Sequence, residues 1–118
     1  MPVQEDHPIL AAVKSQLKDH GKPFTMAVMI KIKPECKIQF EAAFKECIRA
    51  TRQERDCIAY DLNSSSTDEG NYVNYERWKS VSALDAHLRE AHTQTLLSTV
   101  APYLAGSPDI KVYTFAGE

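Results

Sequence analysis

The sequence predicts one α+β domain with the element order βαββαβ behind a short helical leader. Three features carry this reading: strand-type alternation from Phe24 to Lys33, two long stretches of helical periodicity, and turn-forming clusters that cut the chain between them. At 118 residues, 43% of them apolar, the chain can enclose one modest core but hardly two. The leader is assigned to residues 1–23 and the domain to residues 24–118.

In the leader, Ile9, Leu10, Val13 and Leu17 recur at helical spacing between His7-Pro8 and the breaker Gly21-Lys22-Pro23. A short amphipathic helix is expected there. Phe24, Met26, Val28, Ile30 and Ile32 then alternate with Thr25, Ala27, Met29, Lys31 and Lys33, the period of a strand. Pro34-Glu35 opens a helix ending near Glu54, with Cys36, Phe40, Ala43, Phe44, Cys47 and Ile48 as its apolar stripe. Cys57 to Asn63 and Asn71 to Lys79 are rich in β-branched and aromatic residues and flank the turn cluster Ser64 to Gly70, so they pair as a hairpin. Ser80 or Ser82 caps the next helix, which carries Leu84 and Leu88 on one face and an Asp85/Arg89 pair on its surface. Helical periodicity continues past His92 through Leu96, Leu97 and Val100 until Pro102 interrupts it. After Gly106-Ser107-Pro108, Ile110 to Phe115 makes the last strand.

This order is the split βαβ pattern of a ferredoxin-like sandwich. In the last three strands neither parity is cleanly polar: Tyr72 and Trp78 oppose Val73 and Tyr75, and Tyr113 and Phe115 oppose Ile110 and Val112. Two helices cover only one face of a four-stranded sheet, so a second copy of the sheet is the simplest cover for the other. A homodimer closed into an α+β barrel is therefore expected.

Composition excludes several classes. Fourteen Lys+Arg against 16 Asp+Glu, with no long run of either sign, leave no stripe for nucleic acid or for a membrane surface. Neither a signal-peptide layout nor an apolar run of spanning length occurs, so a cytoplasmic protein is expected. Cys36, Cys47 and Cys57 are odd in number and lack C-x-x-C spacing, which reads as free thiols packed in or near the core. The chain contains no G-x-S-x-G, Gly-rich phosphate loop or H-E-x-x-H, so hydrolase, nucleotide and zinc-protease readings have no support.

The residues that can carry chemistry fall between Asn71 and His92. By alternation Tyr72, Asn74, Glu76 and Trp78 share one strand face. An amide and a carboxylate in mid-strand between aromatics face a polar pocket or a subunit interface, unless Glu76 forms a structural ion pair. His87 borders the buried stripe of its helix, where a pocket-lining residue sits, although a structural histidine fits that position too. His92 follows at i+5, about 140° round an ideal helix, so the two converge only if the chain bends near Arg89-Glu90-Ala91. Two histidines without a neighbouring Cys/Asp cluster at ligand spacing make a poor metal site. The connection from Lys79 to Ser82 is short, which places Asn74, Trp78 and His87 around one enclosed pocket.

The run Val73-Asn74-Tyr75-Glu76-Arg77-Trp78-Lys79-Ser80, followed by Ala83-Leu84-Asp85-Ala86-His87-Leu88 and Glu90-Ala91-His92, resembles the antibiotic biosynthesis monooxygenase (ABM) domain. There a strand ending in Glu-x-Trp leads into a helix bearing an Ala-His-Leu…His pair. The resemblance extends over Phe24 to Phe115. It implies a homodimer of ferredoxin-like protomers, each with a pocket between sheet and helices, oxidising quinols or polyhydroxy-aromatics with O₂ and no metal, flavin or other cofactor. Asn74 and Trp78 match a pocket pair of the polyketide-tailoring branch. That branch's helix Tyr is replaced here by Leu84, and its pocket Arg has no counterpart. Haem-degrading relatives use an axial His, which His92 would mimic, but also an Asn on the first strand, which is absent. The His pair is more similar to the quinol-oxidising and signal-molecule-processing branches.

On this footing His87 is the expected general base, Asn74 and Glu76 orient the substrate, and Trp78 is an aromatic wall. His87, Asn74 and Trp78 are the catalytic candidates. Glu76, His92, Tyr72 and Tyr60 are the substrate-binding ones, and none is assigned to a metal. Two other readings stay open: a non-enzymatic barrel that binds a small ligand, and an isomerase using the same pocket.

Overall fold

The computed structural model describes residues 5–117. The elements are α1 (Pro8–Gln16), β1 (Phe24–Lys31), α2 (Lys37–Thr51), β2 (Cys57–Ser64), β3 (Asn71–Trp78), α3 (Val81–Arg89), α4 (Ala91–Val100) and β4 (Asp109–Tyr113). Short 3₁₀ turns at Pro34–Cys36 and Ala101–Tyr103 precede α2 and follow α4. Cys36 therefore lies in the turn before the helix, and Cys36, Cys47 and Cys57 are all free thiols.

The sheet is fully antiparallel in the order β2-β3-β1-β4. Its register aligns two rows of side chains across the helix-covered face. One runs Tyr60, Glu76, Met26, Val112; the next runs Leu62, Asn74, Val28, Ile110. Phe24, Met26, Phe40, Leu84 and Trp78 are at most 1% exposed and form the centre of the core. Burying each such side chain contributes roughly 1.5–3 kcal/mol before entropy is set against it. On the opposite sheet face Val73, Tyr75 and Tyr113 stand 36%, 37% and 56% exposed. Beside them the Arg77 guanidinium lies over the Phe115 ring, 3.6 Å from its centroid.

The continuous helix expected from Ser80 to Pro102 is two helices. Ser80 caps α3, its hydroxyl accepting from Ala83 N at 3.2 Å. At Glu90 the backbone becomes extended (φ −68°, ψ 142°), ending α3 and starting α4 in a single residue. Its N–H donates to the His87 carbonyl, while its own carbonyl accepts from Thr93 and Gln94. The break lets both segments bury their apolar sides, Leu84 and Leu88 on α3 and Leu96 and Val100 on α4. A straight helix would rotate one set outward.

α1 joins the same core through Leu10 and Val13, and Leu17, just after it, does so too. The helix also grips the outer side of β4. The Gln16 amide donates to the Ile110 carbonyl at 3.0 Å and accepts from Val112 N at 3.2 Å. No helix among the described residues is long and apolar enough to cross a membrane.

Candidate active site

The break at Glu90 brings His87 and His92 together, with ring centroids 6.0 Å apart. The group that joins them is Glu54, in the turn after α2. Its Oε2 lies 2.7 Å from His87 Nδ1 and 2.7 Å from His92 Nε2. A carboxylate only accepts, so these two nitrogens carry the protons. Nε2 of His87 is thereby left with its lone pair. Burial lowers the pKa of His87 below its ordinary value of 6.5, against the opposing hydrogen bond and charge of Glu54, so the imidazole is held neutral. The Thr93 hydroxyl, on the first turn of α4, lies 3.2 Å from Nδ1 and 3.5 Å from Nε2 of the same ring.

A second polar group occupies β3. Glu76 Oε1 accepts from Trp78 Nε1 at 3.0 Å, and Oε2 accepts from Asn74 Nδ2 at 3.0 Å. Its partners are thus neutral donors of its own strand and no cation. Burial pushes the Glu76 carboxyl up to about 8, outweighing those two hydrogen bonds, so the group is mostly protonated at neutral pH. Asn74 Oδ1 is buried with no hydrogen-bond partner. On the neighbouring strand burial raises Tyr60, whose hydroxyl is 3.8 Å from Cys47 Sγ.

These groups border a cavity of about 550 Å³ between sheet and helices. Asn74, Glu76, Tyr60, His87 and Thr93 line it, among largely aliphatic walls. Trp78 does not reach the cavity. It is 0% exposed and packs behind His87, ring centroids 4.6 Å apart, because the final residue of β3 points under the start of α3. His92 also stands back, touching the cavity's polar end only through Glu54 and His87. Tyr72 is elsewhere: its hydroxyl donates to Glu41 Oε2 at 2.6 Å, and it borders shallow surface grooves. Glu54 and Thr93 are the site residues that sequence reading missed. Neither lies on a recognisable motif, and only the fold brings Glu54 to His87 across 33 positions.

Glu54, His87 and His92 are the trio among the described residues whose ligand atoms, all within 4.8 Å of one another, are of a kind that binds metals. The two 2.7 Å contacts to a single carboxylate oxygen are hydrogen-bond lengths. A tetrahedral ion with ligands about 2.1 Å out would hold them roughly 3.4 Å apart. As they stand the three side chains share protons, and holding an ion would move them apart by that difference.

Comparison with known proteins agrees with this architecture. The sequence matches the family profile described as Antibiotic biosynthesis monooxygenase over residues 23–97. An uncharacterized protein of Synechocystis, sll1783, is 28% identical over 105 residues, 89% of this chain and 71% of that one. YcnE of Bacillus subtilis, which carries a provisional monooxygenase name, is 28% identical over 81 residues, 69% of this chain and 85% of its own. Among solved structures, one from Nitrosomonas europaea with a provisional antibiotic biosynthesis monooxygenase name superposes with a TM-score of 0.79. It is 24% identical and covers 86% of this chain and 97% of that one, a likeness that speaks for the fold.

Proposed function

We propose, from the premise that this chain belongs to the antibiotic biosynthesis monooxygenase family, that it oxidises a small quinol-type aromatic with O₂, His87 acting as general base. The observation that carries the reading is the neutral His87, its Nδ1–H held by Glu54, on the wall of a largely apolar cavity. Nε2 takes the phenolic proton, and the Glu54 carboxylate steadies the imidazolium that forms. Asn74 Oδ1, a buried acceptor without a partner, is matched by a substrate hydroxyl; leaving such an atom unpaired costs about 1–3 kcal/mol. Glu76 holds Asn74 in place through Nδ2. The phenolate then passes an electron to O₂, and apolar walls keep water from the intermediates. The quinol supplies four electrons in all: one oxygen atom enters the ring and the other leaves as water, giving a hydroxylated quinone.

The test is aerobic turnover of a menadiol-type quinol by protein dialysed against chelator, followed with an oxygen electrode and with elemental analysis. One O₂ consumed per quinol, with no stoichiometric transition metal, is the expected result. Substrate lost without oxygen uptake would instead assign proton transfer between the neutral base His87 and the neutral acid Glu76, as in an isomerase. Binding with no turnover would make the chain a ligand carrier. Either outcome overturns the oxidase reading.

The same reading includes a homodimer in which a second copy covers the exposed face around Val73, Tyr75 and Tyr113. Light scattering at micromolar concentration should give twice the chain mass. Tyr75→Asp, which places a charge at the centre of that face, should give monomers. A monomeric parent protein would refute the assignment.

A further inference from the structure

The cavity changes character across the sheet. Of the two rows of sheet side chains, it is lined by Tyr60 on β2, Asn74 and Glu76 on β3, Met26 and Val28 on β1, and Ile110 on β4. The polar groups thus stand on β2 and β3. Beyond β1 the walls are aliphatic, and past β4 they are completed by Ile9 and Ala12 of α1. Strands lie about 4.8 Å apart, so the distance from β2 to β4 is roughly 14 Å. His7, the polar side chain at the far end, has Nδ1 committed to its own helix, accepting from Ile9 N at 3.1 Å. α1 also precedes the stretch that matches the family profile, which begins at residue 23.

We propose that α1 is the specificity wall of the site and that the substrate is a hydroxylated aromatic bearing an aliphatic tail, the ring at the β2–β3 end and the tail beneath α1. The assignment rests on the reading of the polar end as the quinol-binding end. A compact bicyclic ring has nothing to place against Ile9, Ala12 and Ile110. A tail reaching them removes both its own surface and theirs from water.

The experiment is anaerobic calorimetry with 2-alkyl-1-naphthols whose tails run from one to ten carbons. These keep the hydroxyl recognised by Asn74 and His87 but are not quinols. Affinity should rise about fourfold per methylene, the equivalent of ~0.8 kcal/mol, and then level off once the tail meets α1. Ala12→Trp should move that plateau to shorter tails while leaving the methyl compound's Kd unchanged, and Ala12→Leu should move it less. Ala11→Trp, at an exposed position of α1 that does not line the cavity, should leave the series as it is. Melting curves check that each variant is folded. A Kd independent of tail length, or a plateau that ignores Ala12, would overturn the proposal. Because no turnover is measured, a tail effect in a protein that fails to oxidise quinols would keep the wall and discard the oxidase reading. Oxygen uptake with no tail effect would do the reverse.

Discussion

His87→Ala is expected to lower quinol turnover by roughly a hundredfold or more, the usual scale for removing a general base, while the dimer persists. The expectation follows from proton positions. Glu54 accepts from Nδ1, so the ring meets the substrate with a bare Nε2, whereas the other imidazole on the cavity wall, His7, stands at the far end with its Nδ1 taken by Ile9 N. A pH profile separates this role from a merely structural one. The rate should fall on the acid side as His87 becomes protonated, with the midpoint below 6.5 because burial lowers its pKa. Glu54→Gln keeps an amide oxygen to accept from Nδ1 but removes the charge that raises His87, so its acid limb should move lower still as kcat drops. Undiminished quinol oxidation by His87→Ala would end the catalytic assignment and leave the family assignment standing.

The second large effect concerns stability. Glu76 is 5% exposed, and burial raises its carboxyl from 4.5 to about 8 in the folded chain. Between these values the folded state binds the proton and the unfolded state does not, so stability declines as pH climbs from about 4.5 to 8. The loss is complete above the folded value and is on the order of 4–5 kcal/mol. His87 acts in the opposite sense: its lowered pKa makes stability fall as pH drops below about 6.5. Glu76→Gln abolishes the alkaline decline alone. The glutamine amide can donate to Asn74 Oδ1, the acceptor that lacks a partner, once the Asn74 amide turns over. Urea denaturation from pH 4 to 9 should show the variant several kcal/mol more stable than the parent at pH 9 and nearly equal to it at pH 4. Parallel curves for the two proteins would mean that Glu76 is not held protonated.

Local pattern was enough for the strands and for the covered face of β3, because alternation from Tyr72 to Trp78 does not depend on the rest of the chain. It narrowed the cap of α3 to Ser80 or Ser82, and the structure selects Ser80. The break at Glu90 has no such signal. Arg89, Glu90 and Ala91 are good helix formers without a glycine or proline, and the bend comes from two apolar stripes that must both face one core. Glu54 was hidden for a related reason, since a glutamate in a charged turn looks solvated until tertiary structure sets two histidines on it. Trp78 and Tyr72 were read by parity, which fixes a side of the sheet but not depth along it. Trp78 falls behind the cavity under α3, and Tyr72 lies beyond it beside Glu41.

The hold of Gln16 on β4 bears on how copies of this chain add to one another. A bare edge strand offers unpaired N–H and C=O groups that recruit further strands and lead to open-ended aggregates. Gln16 fills such a pair on β4 with a side-chain amide, which presents the same donor and acceptor as a peptide group. On the other margin of the sheet, Arg52 Nε donates to the outward-facing Tyr60 carbonyl at 3.2 Å. With both margins stoppered by side chains, strand-to-strand growth is discouraged, and the sticky surface that remains is a flat face. Faces that pair with their own copies close on themselves, so the association proposed above for this surface would end at a fixed number of chains instead of propagating into a ribbon.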